Sequence, residues 1–203
     1  MTSREAHLVE LVDNSGVPLG SATVEEAHVA PGQLHRAFSV FLLDDQDRVL
    51  LQQRATVKTR FPLRWGNTCC GHPAPGTPVA TSALERLGEE IGVGGVSLVD
   101  AGVYTYFAED PVTGRVEREY DHVLVGRLPV GTQFRPDPAE VARLLWVSVP
   151  DLRERLESDP GSYAPWLSGV TARLEAYLTS VSSDSRPVSA SPPVSVSERL
   201  GGK

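Results

Sequence analysis

The chain has two cysteines in 203 residues, and they are neighbours, Cys69 and Cys70. Adjacent thiols cannot make the spaced bridges that staple a small secreted fold, which leaves them for chemistry or for packing. Long apolar runs are also missing. The longest stretch, AFSVFLL at 37–43, is far short of the roughly 20 residues a membrane-spanning helix needs. The opening MTSREAHLVELVDN has neither the basic start nor the apolar run of a secretory leader, so a cytoplasmic protein with no membrane partner is expected. Basic charge is not in excess either. Lys and Arg number 19 against 26 Asp and Glu, a formal net charge of −7, which argues against nucleic acid as a partner because that needs a basic face.

What is present is enough for one core. With 40% hydrophobic residues, the length suits a single domain, set here at 1–178. The remainder, 179–203, holds eight serines and three prolines without apolar periodicity and is expected to be a disordered tail. Within the domain, 7–13, 37–44, 48–54, 102–108, 120–128 and 144–149 read as strands, with DDQD turning between the second and third. Ser82 and Glu85 are spaced as a capping box for a helix over 82–91, which carries Leu84, Leu87 and Ile91 and stops at Gly92. Two further helices are expected at 150–157 and 166–178, each opened by a proline. Strands interrupted and closed by helices suggest an α/β sandwich.

Charge is unevenly placed. From 48 to 64 the basic residues Arg48, Arg54, Lys58, Arg60 and Arg64 occur with no acid among them, the pattern of an anionic-ligand site or of a solvated loop. The segment NTCCGHP (67–73) sets a thiol beside an imidazole. His28 and His35 flank VAPGQL, where Pro31 and Gly32 can turn the chain. Glu117 and Glu119 are two apart and, on a strand, project to one side. Three imidazoles and two carboxylates would suit zinc, manganese or a similar ion. Taken singly, each of these histidines is more often a hydrogen-bonded loop residue than a ligand.

From Gly71 the spacing to Leu87, Glu89, Glu90, Gly92 and Val93 resembles the Nudix box, G-x5-E-x7-R-E-U-x-E-E-x-G-U. Thr77 stands in place of the first glutamate and Glu85-Arg86 in place of Arg-Glu. The box glutamates gather magnesium in hydrolases of that superfamily, so the departures point away from hydrolysis. HVAPGQLHRAFS, RWGNTCCGHP, GEEIGV, VEREYDH and APW together resemble the type 1 isopentenyl-diphosphate isomerases, over about residues 7–178.

That resemblance implies a Nudix-type α/β/α sandwich with a mixed sheet. It also implies interconversion of isopentenyl and dimethylallyl diphosphate through a tertiary carbocation. On the matching positions Cys70 and Glu119 are the proton-transfer groups, Tyr106 bonds the carboxylate, and Trp166 is the wall facing the cation. Cys70 is taken as the group that removes a proton, which would call for a lowered thiol pKa. Arg54, Lys58 and Arg86 are expected at the diphosphate. His28, His35, His72, Glu117 and Glu119 are expected around manganese or zinc, and Glu90 at a substrate-bridging Mg2+. His7 is left at a strand start, His122 in support at most, and Trp65 and Trp146 in core or pocket lining. A monomer is expected, with a dimer open. A hydrolase of nucleoside diphosphate derivatives, a structural zinc module and a cysteine redox switch are the competing readings.

Overall fold

The computed structural model describes residues 3–184. After a 3-10 turn at Ser3–Ala6 come β1 (Leu8–Val12), β2 (Pro18–Thr23), α1 (Val24–Ala27), β3 (His35–Leu43) and β4 (Val49–Arg54). The short β5 (Trp65–Gly66) and β6 (Cys69–Gly71) precede α2 (Val79–Ile91), β7 (Leu98–Glu109) and β8 (Val116–Arg127). The described chain closes with β9 (Val141–Val147), α3 (Val149–Ser158) and α4 (Leu167–Asp184).

β3 organises the sheet. It runs parallel to β8, pairing His35 with Glu119 and Leu43 with Arg127, and antiparallel to β6, pairing Ser39 with Cys70. β7 lies antiparallel on β8, and β9 antiparallel on β4. The expected mixed sheet is therefore present. Alternation along β3 sends Phe38, Val40 and Leu42 into one core, with Leu87 and Ile91 of α2. Phe41 and Leu43 enter the other, with Leu152 of α3 and Leu167, Val170 and Leu174 of α4. A strand that is apolar on both faces belongs between two helical layers.

Two expectations about helices need correction. The capping box at Ser82–Glu85 does not form: α2 starts one turn earlier behind Pro78, whose carbonyl takes the Thr81 and Ser82 N–H groups, and Ser82 is buried inside the helix. Gly92 does end α2 in the left-handed conformation. A capping box exists instead at Thr23–Glu26, at the start of α1. The last helix continues six residues past 178, to Asp184, while 185–203 of the expected tail lie outside the described residues.

Candidate active site

The residues expected to ligate a metal come from four places. His28 caps the C-terminal end of α1, His35 opens β3, His72 follows β6, and Glu117 and Glu119 lie on β8. Register does most of the assembly, because His35 and Glu119 are paired neighbours in the parallel ladder. Gly71 permits the approach of β6: a Cβ there would meet the Phe38 ring at 2.8 Å.

The imidazoles form a triangle with ring centroids 4.7, 5.2 and 4.8 Å apart. Nδ1–H of His28 donates to the Val24 carbonyl (2.6 Å) and that of His35 to the Gln33 carbonyl (2.8 Å). A carbonyl can only accept, so in the neutral ring the lone pair is on Nε2, which faces inward; burial lowers and the Glu119 carboxylate raises the His35 pKa, which ends above its usual value. His28 Nε2 sits 2.8 Å from Glu117 Oε2, and His72 Nε2 sits 2.8 Å from Glu119 Oε1. Burial pushes the His72 pKa down to about 4, which favours the neutral ring that a metal ligand would need.

Burial raises and the neighbouring imidazoles of His35 and His72 lower the Glu119 carboxyl, which ends well below its usual range. Among the described residues, His28 Nε2, His35 Nε2 and Glu117 Oε2 are buried without a hydrogen-bond partner. Inward lone pairs with nothing to bind are what a divalent cation would satisfy. One donor atom each from His28, His35, His72 and Glu119 falls within 4.8 Å of the others. These residues could hold a metal ion.

A cavity of about 390 Å3 opens beside this cluster. Cys70, His72, Tyr106, Glu117, Glu119 and Trp166 line it together with Arg4, Arg54, Lys58, Arg60 and Arg86. Tyr106 Oη donates to Glu119 Oε2 at 2.7 Å. The Trp166 ring lies 6.0 Å from that of Tyr106 and 5.6 Å from that of Phe61, which meets it edge-on. Cys70 Sγ donates to Asn67 Oδ1 at 3.0 Å and lies 3.6 Å from Ser39 Oγ. Burial, with Asp121 nearby, pushes the Cys70 thiol up to about 12. Without a metal cation beside it, Cys70 thus favours its protonated form, because a thiolate there would be desolvated and face carboxylates.

The basic residues divide. Lys58 and Arg86 converge with Arg4 on Glu140. Arg54 donates to the Arg60 and Phe61 carbonyls, and its guanidinium lies 5.4 Å from the Trp166 ring centre. Arg60 donates to Glu117 Oε1 at 3.0 Å. Arg48 turns away to Asp44. Glu90 is buried against Arg86 and Gln52, and burial raises its pKa. It stands apart from the His/Glu cluster. His122 bonds Arg36, whereas His7 is exposed at the cavity rim. Trp65 and Trp146 pack against the two cores.

Sequence reasoning passed over Asn67, Ser39, Asp121, Arg4 and Glu140. Only Asp121 carried a signal, as the next inward position after Glu117 and Glu119 on one strand.

Residues 33–167 match the NUDIX domain family. The isopentenyl-diphosphate Delta-isomerase of Nocardia farcinica is 57% identical over 80% of this chain and 91% of its own length. That of Streptomyces coelicolor is 48% identical over 82% of each. The chain belongs to the type 1 isopentenyl-diphosphate isomerases of the Nudix superfamily. The fold is shared with a solved structure. Deinococcus radiodurans DR0079 superimposes with a TM-score of 0.67 at 16% identity, over 82% of this chain and 98% of its own.

Proposed function

We propose that this chain interconverts isopentenyl and dimethylallyl diphosphate by moving one proton onto the alkene and another off it. The observation that carries the reading is that Cys70, Glu119, Tyr106 and Trp166 share one cavity with Lys58 and Arg86. A diphosphate needs cations, and its short hydrocarbon needs a dry, electron-rich wall. Arg4, Lys58 and Arg86, drawn together by Glu140, suit the diphosphate with Mg2+ as its companion. Glu90, here paired with Arg86, is the carboxylate that would help hold that magnesium.

The chemistry needs one group with a proton and one without. Cys70 holds its proton and Glu119 is ionised, so each supplies one half of the exchange. The thiol protonates one carbon, the π electrons form the new C–H bond, and a tertiary carbocation results. The carboxylate takes a proton from the adjacent carbon, the C–H pair closes the new double bond, and the reverse reaction exchanges the roles. Trp166 presents its indole to the cation, which an aromatic face stabilises without capturing it. Tyr106 orients Glu119 by its hydrogen bond. A divalent ion, manganese or zinc, in the His28, His35, His72, Glu117 and Glu119 site would supply positive charge that fixes and polarises the Glu119 carboxylate.

Hydrolysis is disfavoured by the helix carboxylates. Glu85 and Glu89 are exposed and do not line the cavity, and Glu89 and Glu90 are both engaged by Arg86. A sulfur-rich structural zinc site is disfavoured because neither thiol belongs to the His/Glu group. Incubation of the purified protein with isopentenyl diphosphate, magnesium and heavy water tests the proposal. Deuterium in dimethylallyl diphosphate is the expected result, and released phosphate without it would overturn the reading.

A further inference from the structure

We infer that Asn67 is a positioning residue that holds the Cys70 thiol and the Trp166 indole on one shared acceptor. The inference rests on the reading of Cys70 and Trp166 given above and adds what sets their relative placement. Asn67 lies between β5 and β6 and is 0% exposed. Its Oδ1 accepts from Cys70 Sγ at 3.0 Å and from Trp166 Nε1 at 3.1 Å. Its Nδ2 donates to the Cys69 carbonyl at 2.8 Å and the Val40 carbonyl at 3.3 Å.

All four hydrogen-bonding positions of the amide are thus used, and only one orientation allows it. An indole N–H can only donate, and backbone carbonyls can only accept, so a flipped amide would set donor against donor and oxygen against oxygen. The two halves of the side chain therefore have different tasks. Nδ2 anchors Asn67 to the sheet at β3 and β6. Oδ1 extends that anchorage to a thiol three residues away and an indole 99 residues away. Trp166 stands just before α4, so this bond also ties the start of that helix to the site. In a buried site a satisfied polar network of this kind specifies one geometry, and loss of its shared acceptor frees both partners.

Two variants separate the tasks, because Asn67→Leu and Asn67→Asp both lose the Nδ2 donor while only Asn67→Leu loses the acceptor. The assay measures kcat and KM for isopentenyl diphosphate with magnesium present. It also follows the Trp166 Nε1–H proton resonance, assigned by its disappearance in Trp166→Phe. In Asn67→Leu, kcat should fall about 100-fold, the cost of misplacing reacting groups by about 1 Å. KM should stay within about threefold, since the diphosphate contacts are untouched. The indole resonance should move in Asn67→Leu. Asn67→Asp, whose fully buried carboxyl is kept protonated and donates to one of the two carbonyls, should keep kcat within about tenfold of wild type. A kcat for Asn67→Leu near wild type, an unmoved indole resonance, or an Asn67→Asp loss as large as that of Asn67→Leu would each overturn the inference. If Cys70→Ala turned over like wild type, the reading beneath would fall and the positioning role with it, and a shifted indole resonance in Asn67→Leu would identify that as the cause.

Discussion

Glu119 carries two demands at one carboxylate, since Oε1 faces His72 and Oε2 accepts from Tyr106. Glu119→Gln keeps the volume and loses the charge and the exchangeable proton. Its kcat should fall by about 100- to 10,000-fold or more, while circular dichroism still shows a cooperative melt. Activity within a few-fold of wild type would remove Glu119 from the mechanism. The adjacent thiols divide in the same way. Cys69 is fully buried in the α2 core, where burial raises its pKa strongly, and only Cys70 reaches the cavity. Cys70→Ala should therefore abolish isomerisation and Cys69→Ser should retain it, as steady-state rates on both variants would show. These residues were legible in the sequence because each sits inside a short motif. Asn67, Arg60 and Glu140 were not, because their roles exist only through partners distant in the chain, such as Trp166, Glu117 and Arg4.

At the scale of elements, the strands with strong apolar runs were legible, and β2 was not, since Pro18–Thr23 is largely exposed and has no alternation to read. The segment at 60–63 was equally silent. Phe61 and Leu63 there adopt positive φ of 45° and 61°, an unfavourable backbone that surrounding contacts must hold. Asp110, at the turn after β7, accepts the Phe61 N–H at 2.9 Å and also the Val112 N–H and Thr113 hydroxyl. Arg54 grips the same segment through its carbonyls. The consequence reaches the site, because Phe61 packs edge-on against Trp166. Burial raises the Asp110 carboxyl, but the hydrogen bonds from Phe61, Val112 and Thr113 bring it below its usual value. A depressed carboxyl contributes stability above its unfolded pKa of about 3.9 and loses it as pH falls through the folded one. Asp110→Ala should cost about 1–3 kcal/mol near neutral pH. The difference from wild type should shrink in acid, below about pH 4. Urea melts at pH 7 and pH 3 check this, and an equal difference at both would show that the carboxylate's charge is not what holds the loop.

The whole molecule is acidic, at −7, yet Arg4, Arg54, Lys58, Arg60 and Arg86 line one cavity. That cavity shares its floor with buried groups drawn from residues 28 to 119: His28, His35, Glu117 and Glu119 are each less than a tenth exposed. The elements that bring them together, α1, β3, β6 and β8, include the centre of the sheet. Polar atoms buried there without partners cost free energy, and an ion bound only by the folded chain would offset that cost and stabilise the fold by mass action. At a free metal concentration 1,000 times Kd the gain is about 4 kcal/mol. For a chain of this size that corresponds to roughly 8–16 °C in Tm. Treatment with a strong chelator should lower Tm by about that much, and manganese or zinc should restore it. His72→Ala should melt at a temperature that the chelator no longer changes, because the removed imidazole belongs to the ligand group and not to either core. A wild-type Tm indifferent to both chelator and metal would mean that the His/Glu cluster is satisfied by its own hydrogen bonds. The polarised Glu119 of the mechanism would then have to rely on His72 and Tyr106 alone.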